Sequence, residues 1–298
     1  MDAINKIIQE LQKAAVQVAN LLQKREVEYT HGSNSSGDNQ LKVDILADKL
    51  FGNILSEIGI KGFASEERES AVIFYDNDNM YDTNQEIPMQ SLLVGFDPLD
   101  GSSLIDSNLT IGSIFGIYHS EFIGNKLLCG IYFLYGPRLE MVVARDKKSL
   151  HYLYNYATHT WDFIQEFALQ EKGKINAPGG TQKEWFNGHK KIIEGFFQEG
   201  YRLRYSGGMV ADLHQILCKG GGIFSYPATK DSRKGKLRKL FEVFPFALIF
   251  ENAGGEAIDG QNRLLLLDTK SIHETTPCFF GSKREINKII EGYKKISL

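Results

Sequence analysis

The sequence is short of the features that mark several protein classes. Only three of its 298 residues are cysteine, namely Cys129, Cys218 and Cys278. They are odd in number, far apart, and form no CxxC pair. A disulfide framework is therefore excluded, and reduced thiols in a cytoplasmic protein are expected. Neither sign of charge dominates. The 34 basic and 37 acidic residues leave a formal net charge of −3, so no basic surface speaks for nucleic acid. No apolar run approaches the length of a membrane span. The opening Met-Asp-Ala-Ile-Asn has no basic stretch leading into an apolar core, and no secretory signal is expected. There is no repeat, no low-complexity segment and no nucleophile motif such as GxSxG or CxxxxxR.

What is present is ordinary for a globular chain: 42% hydrophobic and 24% charged residues. The length suits one large domain or two of average size. The most informative stretch is Gly95-Phe96-Asp97-Pro98-Leu99-Asp100-Gly101-Ser102-Ser103. It follows the apolar run Leu92-Leu93-Val94, which reads as a buried strand ending at Asp97. Pro98 keeps Asp97 out of the helical region and predicts a sharp turn. Asp100 returns three residues later. Gly101 allows a close backbone approach, and Ser102 and Ser103 add amides and hydroxyls. Two carboxylates and a run of amides suit a divalent cation and a phosphate side by side. The plainer reading is a polar turn, since Asp, Pro, Gly and Ser are the usual turn formers.

Around that stretch, apolar residues from Ile4 to Leu22 recur at helical spacing and predict a packing helix. Residues 30–40, which include Asp38, read as a polar loop. Asp44 reads as the cap of a second helix that Gly59 ends. The strand Ile60–Ala64 delivers Ser65-Glu66-Glu67, and adjacent acids at a strand end are usually solvated surface. Residues 76–90 read as an exposed loop. Apolar and β-branched runs at 111–118, 127–135, 139–144, 151–157 and 161–167 predict an antiparallel sheet. The pattern changes near residue 168. Helices are expected over 181–198, 209–219 and 237–252, the last kinked at Pro245, with strands at 201–205 and 222–226. Ser282 and Glu285 read as a capping box opening the last helix. Alternating strand and helix predicts an α/β second half. The expected division is a metal-binding part over 1–168 and a substrate-phosphate-binding part over 169–298.

The run Phe96–Tyr118, FDPLDGSSLIDSNLTIGSIFGIY, resembles class I fructose-1,6-bisphosphatase, within the lithium-sensitive phosphatase superfamily. Further motifs in the same order carry the likeness over nearly the whole chain: Gly37-Asp38, Asp44-Ile45-Leu46, Ser65-Glu66-Glu67, Arg204–Asp212, Gly222–Ala228 and Gly235–Glu242. The resemblance implies an α/β fold, a layered α/β/α/β/α sandwich of the sugar phosphatase type, usually assembled as a homotetramer. It implies Glu66, Glu67, Asp97, Asp100 and Glu242 as metal ligands with the carbonyl of Leu99, and Asp38 and Asp44 beside the metals. Were these acids to converge, cations would be required, since two carboxylates about 4 Å apart repel by roughly 4 kcal/mol at an effective dielectric of 20. Oxygen-only ligands favour Mg²⁺ or Mn²⁺ over zinc.

The implied reaction is hydrolysis of the 1-phosphate of fructose 1,6-bisphosphate by a water that the metals activate. Glu67 with Asp44 takes its proton, and the amides of Gly101, Ser102 and Ser103 hold the phosphoryl oxygens. Asn176, Arg204, Tyr205 and Tyr226 match residues that bind the 6-phosphate, and Lys236 one that contacts the sugar. Arg204 reaches a neighbouring subunit's site in the family. On their own, the two tyrosines would read as sheet packing. One position departs from the family pattern: Gly179 stands where the family carries a tyrosine after the asparagine. The family's AMP-binding positions are not matched either. Ser91 and Leu92 replace a Lys-Tyr pair and His119 replaces an arginine, so insensitivity to AMP is expected. Sedoheptulose-1,7-bisphosphatase is an alternative on the same fold, favoured by Phe241-Glu242-Val243 and the Glu251–Gly255 run. A non-catalytic sugar-phosphate sensor is the remote alternative, and such a protein would be expected to lose acids from the metal set.

Overall fold

The computed structural model describes residues 2–24, 29–33, 39–75 and 87–296. Helix α1 (Ala3–Leu22) is capped by Asp2, whose carboxylate accepts from the Asn5 amide at 2.7 Å. Strands β1 (Tyr29–Ser33) and β2 (Asn39–Leu41) pair with each other, so the stretch read as loop carries a small hairpin. Asp38 lies outside the described residues. Helix α2 (Lys42–Glu57) and strands β3 (Gly62–Ser65), β4 (Val72–Ile73) and β5 (Leu92–Asp100) follow. A meander comes next: β6 (Ile111–His119), β7 (Leu127–Tyr135), β8 (Leu139–Arg145), β9 (Lys148–Asn155) and β10 (Thr160–Glu166). These strands form one eight-stranded sheet in the order β10-β9-β8-β7-β6-β5-β3-β4, antiparallel except for β3 beside β5.

The remaining residues build β11 (Ile175–Pro178), α3 (Asn187–Gln198), β12 (Arg202–Leu203), α4 (Met209–Cys218) and β13 (Gly222–Tyr226). Then come β14 (Leu237–Arg238), α5 (Phe244–Asn252), β15 (Glu256–Ile258), β16 (Thr275–Thr276), β17 (Cys278–Gly281) and α6 (Lys283–Ile296). A five-stranded mixed sheet runs β12-β11-β13-β17-β15.

Side-chain alternation sets the layers. On the large sheet Val94, Phe96, Phe115, Ile117 and Phe133 pack under α1 and α2, while Leu93, Ile114, Tyr118, Tyr132 and Val142 face α4 and α5. On the second sheet Phe224 and Phe280 join that same middle core, and Ile223 and Phe279 face α3 and α6. The order is therefore α/β/α/β/α, with the middle helices covered on both sides.

Three local expectations need correction. The stretch 237–252 is not one kinked helix. Leu237 and Arg238 pair with β16, a π-helical turn spans Lys239–Val243, and Pro245 lies in the first turn of α5, where its missing N–H costs nothing. The α-helix expected from 181 begins at Asn187, after a short 3₁₀ turn. Finally, Glu285 does not close a capping box. Its carboxylate accepts from the Gly173 amide and the Tyr201 hydroxyl, while the Ser282 amide donates to Gly222.

Candidate active site

Strand β5 does not end at Asp97 but continues to Asp100 through a bulge. Asp97 lies opposite Ile114 and Asp100 opposite Gly112, so three steps on β5 meet two on β6. In a regular strand, residues three apart point to opposite faces. The bulge removes that alternation and turns both carboxylates to one side. Pro98, which cannot donate to a ladder, is tolerated there. Its carbonyl accepts from the Ser113 hydroxyl at 2.6 Å, and the Leu99 amide donates to Asp97 Oδ1 at 3.0 Å. Gly101 then takes φ 78°, and a Cβ at that position would lie 3.2 Å from Gly208 Cα. It starts the 3₁₀ turn Ser102–Leu104 beside the acids.

Glu242 arrives from the π-helical turn, where its Oε2 accepts from the Arg238 amide at 2.6 Å. Oxygen atoms of Asp97, Asp100 and Glu242 all lie within 4.8 Å of one another, and all three residues are buried. Glu66 leaves the end of β3, its amide donating to Phe96, and its carboxylate pairs with the Arg238 guanidinium. Glu67 is half-buried beside it, so this pair of acids is not the solvated surface that the spacing alone suggests. Asp44 is buried in the first turn of α2, which starts at Lys42. It stands inside the helix rather than at its cap, still at the end where a carboxylate is favoured.

The electrostatics are those of an over-acidic pocket. Burial raises the Asp97 carboxyl well above its ordinary range, and Glu66 and Asp100 add to it. Burial lifts Asp100 to about 7 against the opposing hydrogen bond from the Val210 amide, with Glu66 raising it further. Burial and Glu66 lift Glu242 to about 8, partly offset by Arg238. Without a cation this crowding favours the protonated carboxyls. An all-oxygen, negatively charged, buried donor set fits a hard divalent ion.

A second group gathers on the other sheet. Asn176 on β11 is fully buried, and neither atom of its side-chain amide has a hydrogen-bond partner among the described residues. A buried amide left unmet costs about 1–3 kcal/mol, so Asn176 calls for a partner such as a ligand or an ordered water. Tyr205 and Tyr226 flank Gly179: a Cβ there would lie 2.5 Å from the Tyr226 ring and 3.2 Å from the Tyr205 ring. The tyrosine missing at 179 thus has no room, because Tyr226 occupies it. Burial raises Tyr205, opposed by the Gly180 amide, with Asp212 and Asp100 pushing the same way as burial. Burial lifts Tyr226 to about 12, with Tyr205 and then Glu242 adding. Both hydroxyls therefore feel the acids of the first group. Arg204 is exposed, its amide donating to Asn176 O at 3.0 Å and its Nη1 to Leu203 O at 2.8 Å. Lys236 is exposed just before β14.

Two residues gain parts that the sequence did not signal. Arg238 is a cation of the acid pocket, paired with Glu66. Asp212, 3% exposed, accepts from the Ser206 amide at 2.8 Å, and burial lifts it to about 6. Its place three residues into α4, after Gly207-Gly208, was a readable hint.

Comparison with known proteins is consistent across the chain. Residues 1–166 match the family model described as fructose-1-6-bisphosphatase, N-terminal domain, and residues 169–294 match that of the C-terminal domain. The chain is 51% identical to a fructose-1,6-bisphosphatase class 1 of Helicobacter hepaticus, covering 98% of this chain and 100% of that protein. It is 46% identical to one of Campylobacter jejuni, with 98% and 100% covered. Among solved structures it resembles the holo form of Leishmania major fructose-1,6-bisphosphatase, with TM-score 0.88 at 26% identity, covering 98% of this chain and 94% of that one. It also resembles a Toxoplasma gondii protein whose assignment as a sedoheptulose-1,7 bisphosphatase is provisional, with TM-score 0.87 at 27% identity and 98% and 94% covered.

Proposed function

The chain belongs to the class 1 fructose-1,6-bisphosphatase family, and on that footing we propose how it acts. It is a fructose-bisphosphatase, hydrolysing fructose 1,6-bisphosphate to fructose 6-phosphate. The observation that carries the reading is the buried convergence of Asp97, Asp100 and Glu242 beside a second, phosphate-suited group. Mg²⁺, with Mn²⁺ as a substitute, would be held by Glu66, Glu67, Asp97, Asp100, Glu242 and the Leu99 carbonyl. A bound divalent ion supplies Lewis-acid neutralisation of the charge that develops on the reacting phosphoryl group.

The protein's own groups do the rest. The amides of Gly101, Ser102 and Ser103 bind the phosphoryl oxygens, and the αL turn at Gly101 aims them. Glu67 and Asp44 take the proton of the attacking water. Arg238 pairs with Glu66 and offsets part of the pocket's negative charge. At the far end Asn176, Tyr205 and Tyr226, with Arg204, bind the non-reacting 6-phosphate, and Lys236 contacts the sugar. The unmet amide of Asn176 supports that role. Exposed Arg204 supports a homo-oligomer in which it serves a neighbour's site. The two parts, 1–168 and 169–298, divide the labour between metal and substrate. Among the described residues no helix is long and apolar enough to cross a membrane, and we place the enzyme in the cytoplasm.

The test is phosphate release with Mg²⁺ from fructose 1,6-bisphosphate, sedoheptulose 1,7-bisphosphate and inositol 1-phosphate side by side. The fructose substrate should lead in kcat/KM. Faster turnover of inositol 1-phosphate would overturn the reading, because the 6-phosphate group would then have no purpose. An AMP titration of the same preparation should leave the rate unchanged, since Ser91, Leu92 and His119 offer no strong cation for a nucleotide phosphate.

A further inference from the structure

Another cluster of ligand-type side chains lies outside the phosphatase site. Glu140 on β8, His151 on β9 and His214 on α4 bring one donor atom each within 4.8 Å of one another, all three buried. Glu140 Oε2 is 2.7 Å from His151 Nε2 and 3.0 Å from His214 Nε2. Cys218, one helical turn beyond His214, places its Sγ 3.3 Å from that same Nε2. Cys218 is exposed as a residue, while its thiol is part-buried against His214.

The outward atoms of these ligands are held by neighbours. The Tyr132 hydroxyl lies 2.7 Å from His214 Nδ1, leaving Nε2 to face the cluster. Arg138 Nε donates to Glu140 Oε1 at 2.6 Å, leaving Oε2 to do the same. Gln165 Nε2 lies 3.5 Å from His151 Nδ1. This division, near atoms converging and far atoms anchored, is how metal ligands are oriented by the groups behind them.

We propose that Glu140, His151, His214 and Cys218 form a zinc site, separate from the magnesium site. Two imidazoles, a carboxylate and a thiolate are a borderline-soft set that zinc takes in a closed tetrahedron, whereas the phosphatase pocket offers oxygen alone. Donor atoms bound at zinc distances stand about 3.3 to 3.7 Å apart in a tetrahedron, so the hydrogen-bonded spacings need to open by roughly half an ångström, while Cys218 Sγ, which lies outside the 4.8 Å grouping of the other three donors, has to swing in by about 1 Å or more. On binding, zinc takes the Nε2 lone pair of each imidazole, whose one remaining proton sits on Nδ1, facing the Tyr132 hydroxyl in His214 and the Gln165 amide in His151; the Cys218 proton leaves to solvent. Burial, with Glu140 adding, lifts the Cys218 thiol to about 11, so the thiolate depends on the ion. The site would tie α4 to β8 and β9. The amide of Val210 on the same helix donates to Asp100 Oδ2 at 2.7 Å, so the tie reaches the acid pocket.

The test uses full-length protein stripped by a chelator and held in millimolar Mg²⁺ while Zn²⁺ is titrated by calorimetry. Wild type and Asp97→Asn should each take up one equivalent of zinc that Mg²⁺ does not displace. His151→Gln and His214→Gln, checked for folding by circular dichroism, should each weaken uptake by at least about a hundredfold. With Co²⁺ in place of zinc, wild type should show a thiolate charge-transfer band that Cys218→Ser lacks. No uptake by wild type, unchanged uptake in a folded histidine variant, or uptake lost in Asp97→Asn overturns the site. A cobalt complex without the thiolate band overturns the four-ligand set.

Discussion

Near the start of α4 the Val210 amide meets Asp100, and one turn further along the same helix His214 meets Glu140. Both carboxylates are buried, yet they behave oppositely. Asp100 shares its pocket with Asp97 and Glu242, so burial and mutual repulsion push its carboxyl up to about 7. Burial raises Glu140 too, but hydrogen bonds from His151, His214 and Arg138 outweigh that and hold it well below the ordinary carboxylate range. The second centre supplies its own compensating donors. In the first, Arg238 is a cation paired with one of its acids, Glu66. A buried acidic centre left over-charged by its own fold is built for charge brought from outside.

The sharpest way to break this contrast is to neutralise an acid in each centre. Asp97→Asn should bring fructose 1,6-bisphosphate turnover below detection with millimolar Mg²⁺, because the metal ligand proposed at that position is lost. The same change should leave the cation-free fold intact or raise its melting temperature, because a repelling charge is removed. Wild-type-like turnover would take Asp97 out of the metal set.

Glu140→Gln should do the reverse. It leaves exposed Arg138 without its partner and two buried imidazoles facing a neutral amide, and a buried hydrogen-bonding group left unmet typically costs about 1–3 kcal/mol. Urea denaturation at neutral pH reads it. A stability within about 0.5 kcal/mol of wild type would show that Glu140 is not the group satisfying its neighbours.

The pH dependence of the cation-free protein separates the centres again. Asp100 and Glu242 are raised in the folded state from ordinary values of 3.8 and 4.5 to about 7 and 8. The folded protein therefore binds protons more tightly than the unfolded chain. Stability should fall as pH rises from about 4 to about 8, and Mg²⁺ should flatten that fall. Melting temperatures measured across this window, with and without Mg²⁺, check it. A profile that rises with pH in the absence of cation would mean the acids are already neutralised by groups within the fold.

The two centres were not equally legible in the sequence. The first announces itself because Asp97, Pro98, Asp100 and Gly101 are adjacent, and the strands around them alternate cleanly. Its convergence with Glu242 was still hidden. The run 237–252 has helical apolar spacing throughout, and only β14 pairing with β16, plus the Glu242 carboxylate capturing the Arg238 amide, breaks it into strand, π-turn and helix. Nor does residue spacing show that a bulge brings Asp97 and Asp100 to one face. The second centre left almost no trace. Glu140 sits in a strand-like run and His151 in another, and nothing links either to His214. Only His214 and Cys218, four apart on one helix face, were readable together.

The smallest expected effect concerns the residue on which the contrast turns. Arg238 is an internal cation of the first centre, and it competes with a metal ion for Glu66. In Arg238→Gln the pocket loses that charge, and Glu66 is released to the metal. Even with water-like screening, a unit charge about 4 Å from another is worth about 1 kcal/mol, and a divalent ion doubles it. Allowing for some added distance, half-saturating Mg²⁺ for turnover should fall about tenfold. The cation-free protein should meanwhile lose some stability as its acids go less compensated. If Mg²⁺ affinity instead weakens, Arg238 is holding Glu66 in its ligating pose rather than competing for it. The first centre would then resemble the second more closely, with an internal cation as part of its working geometry.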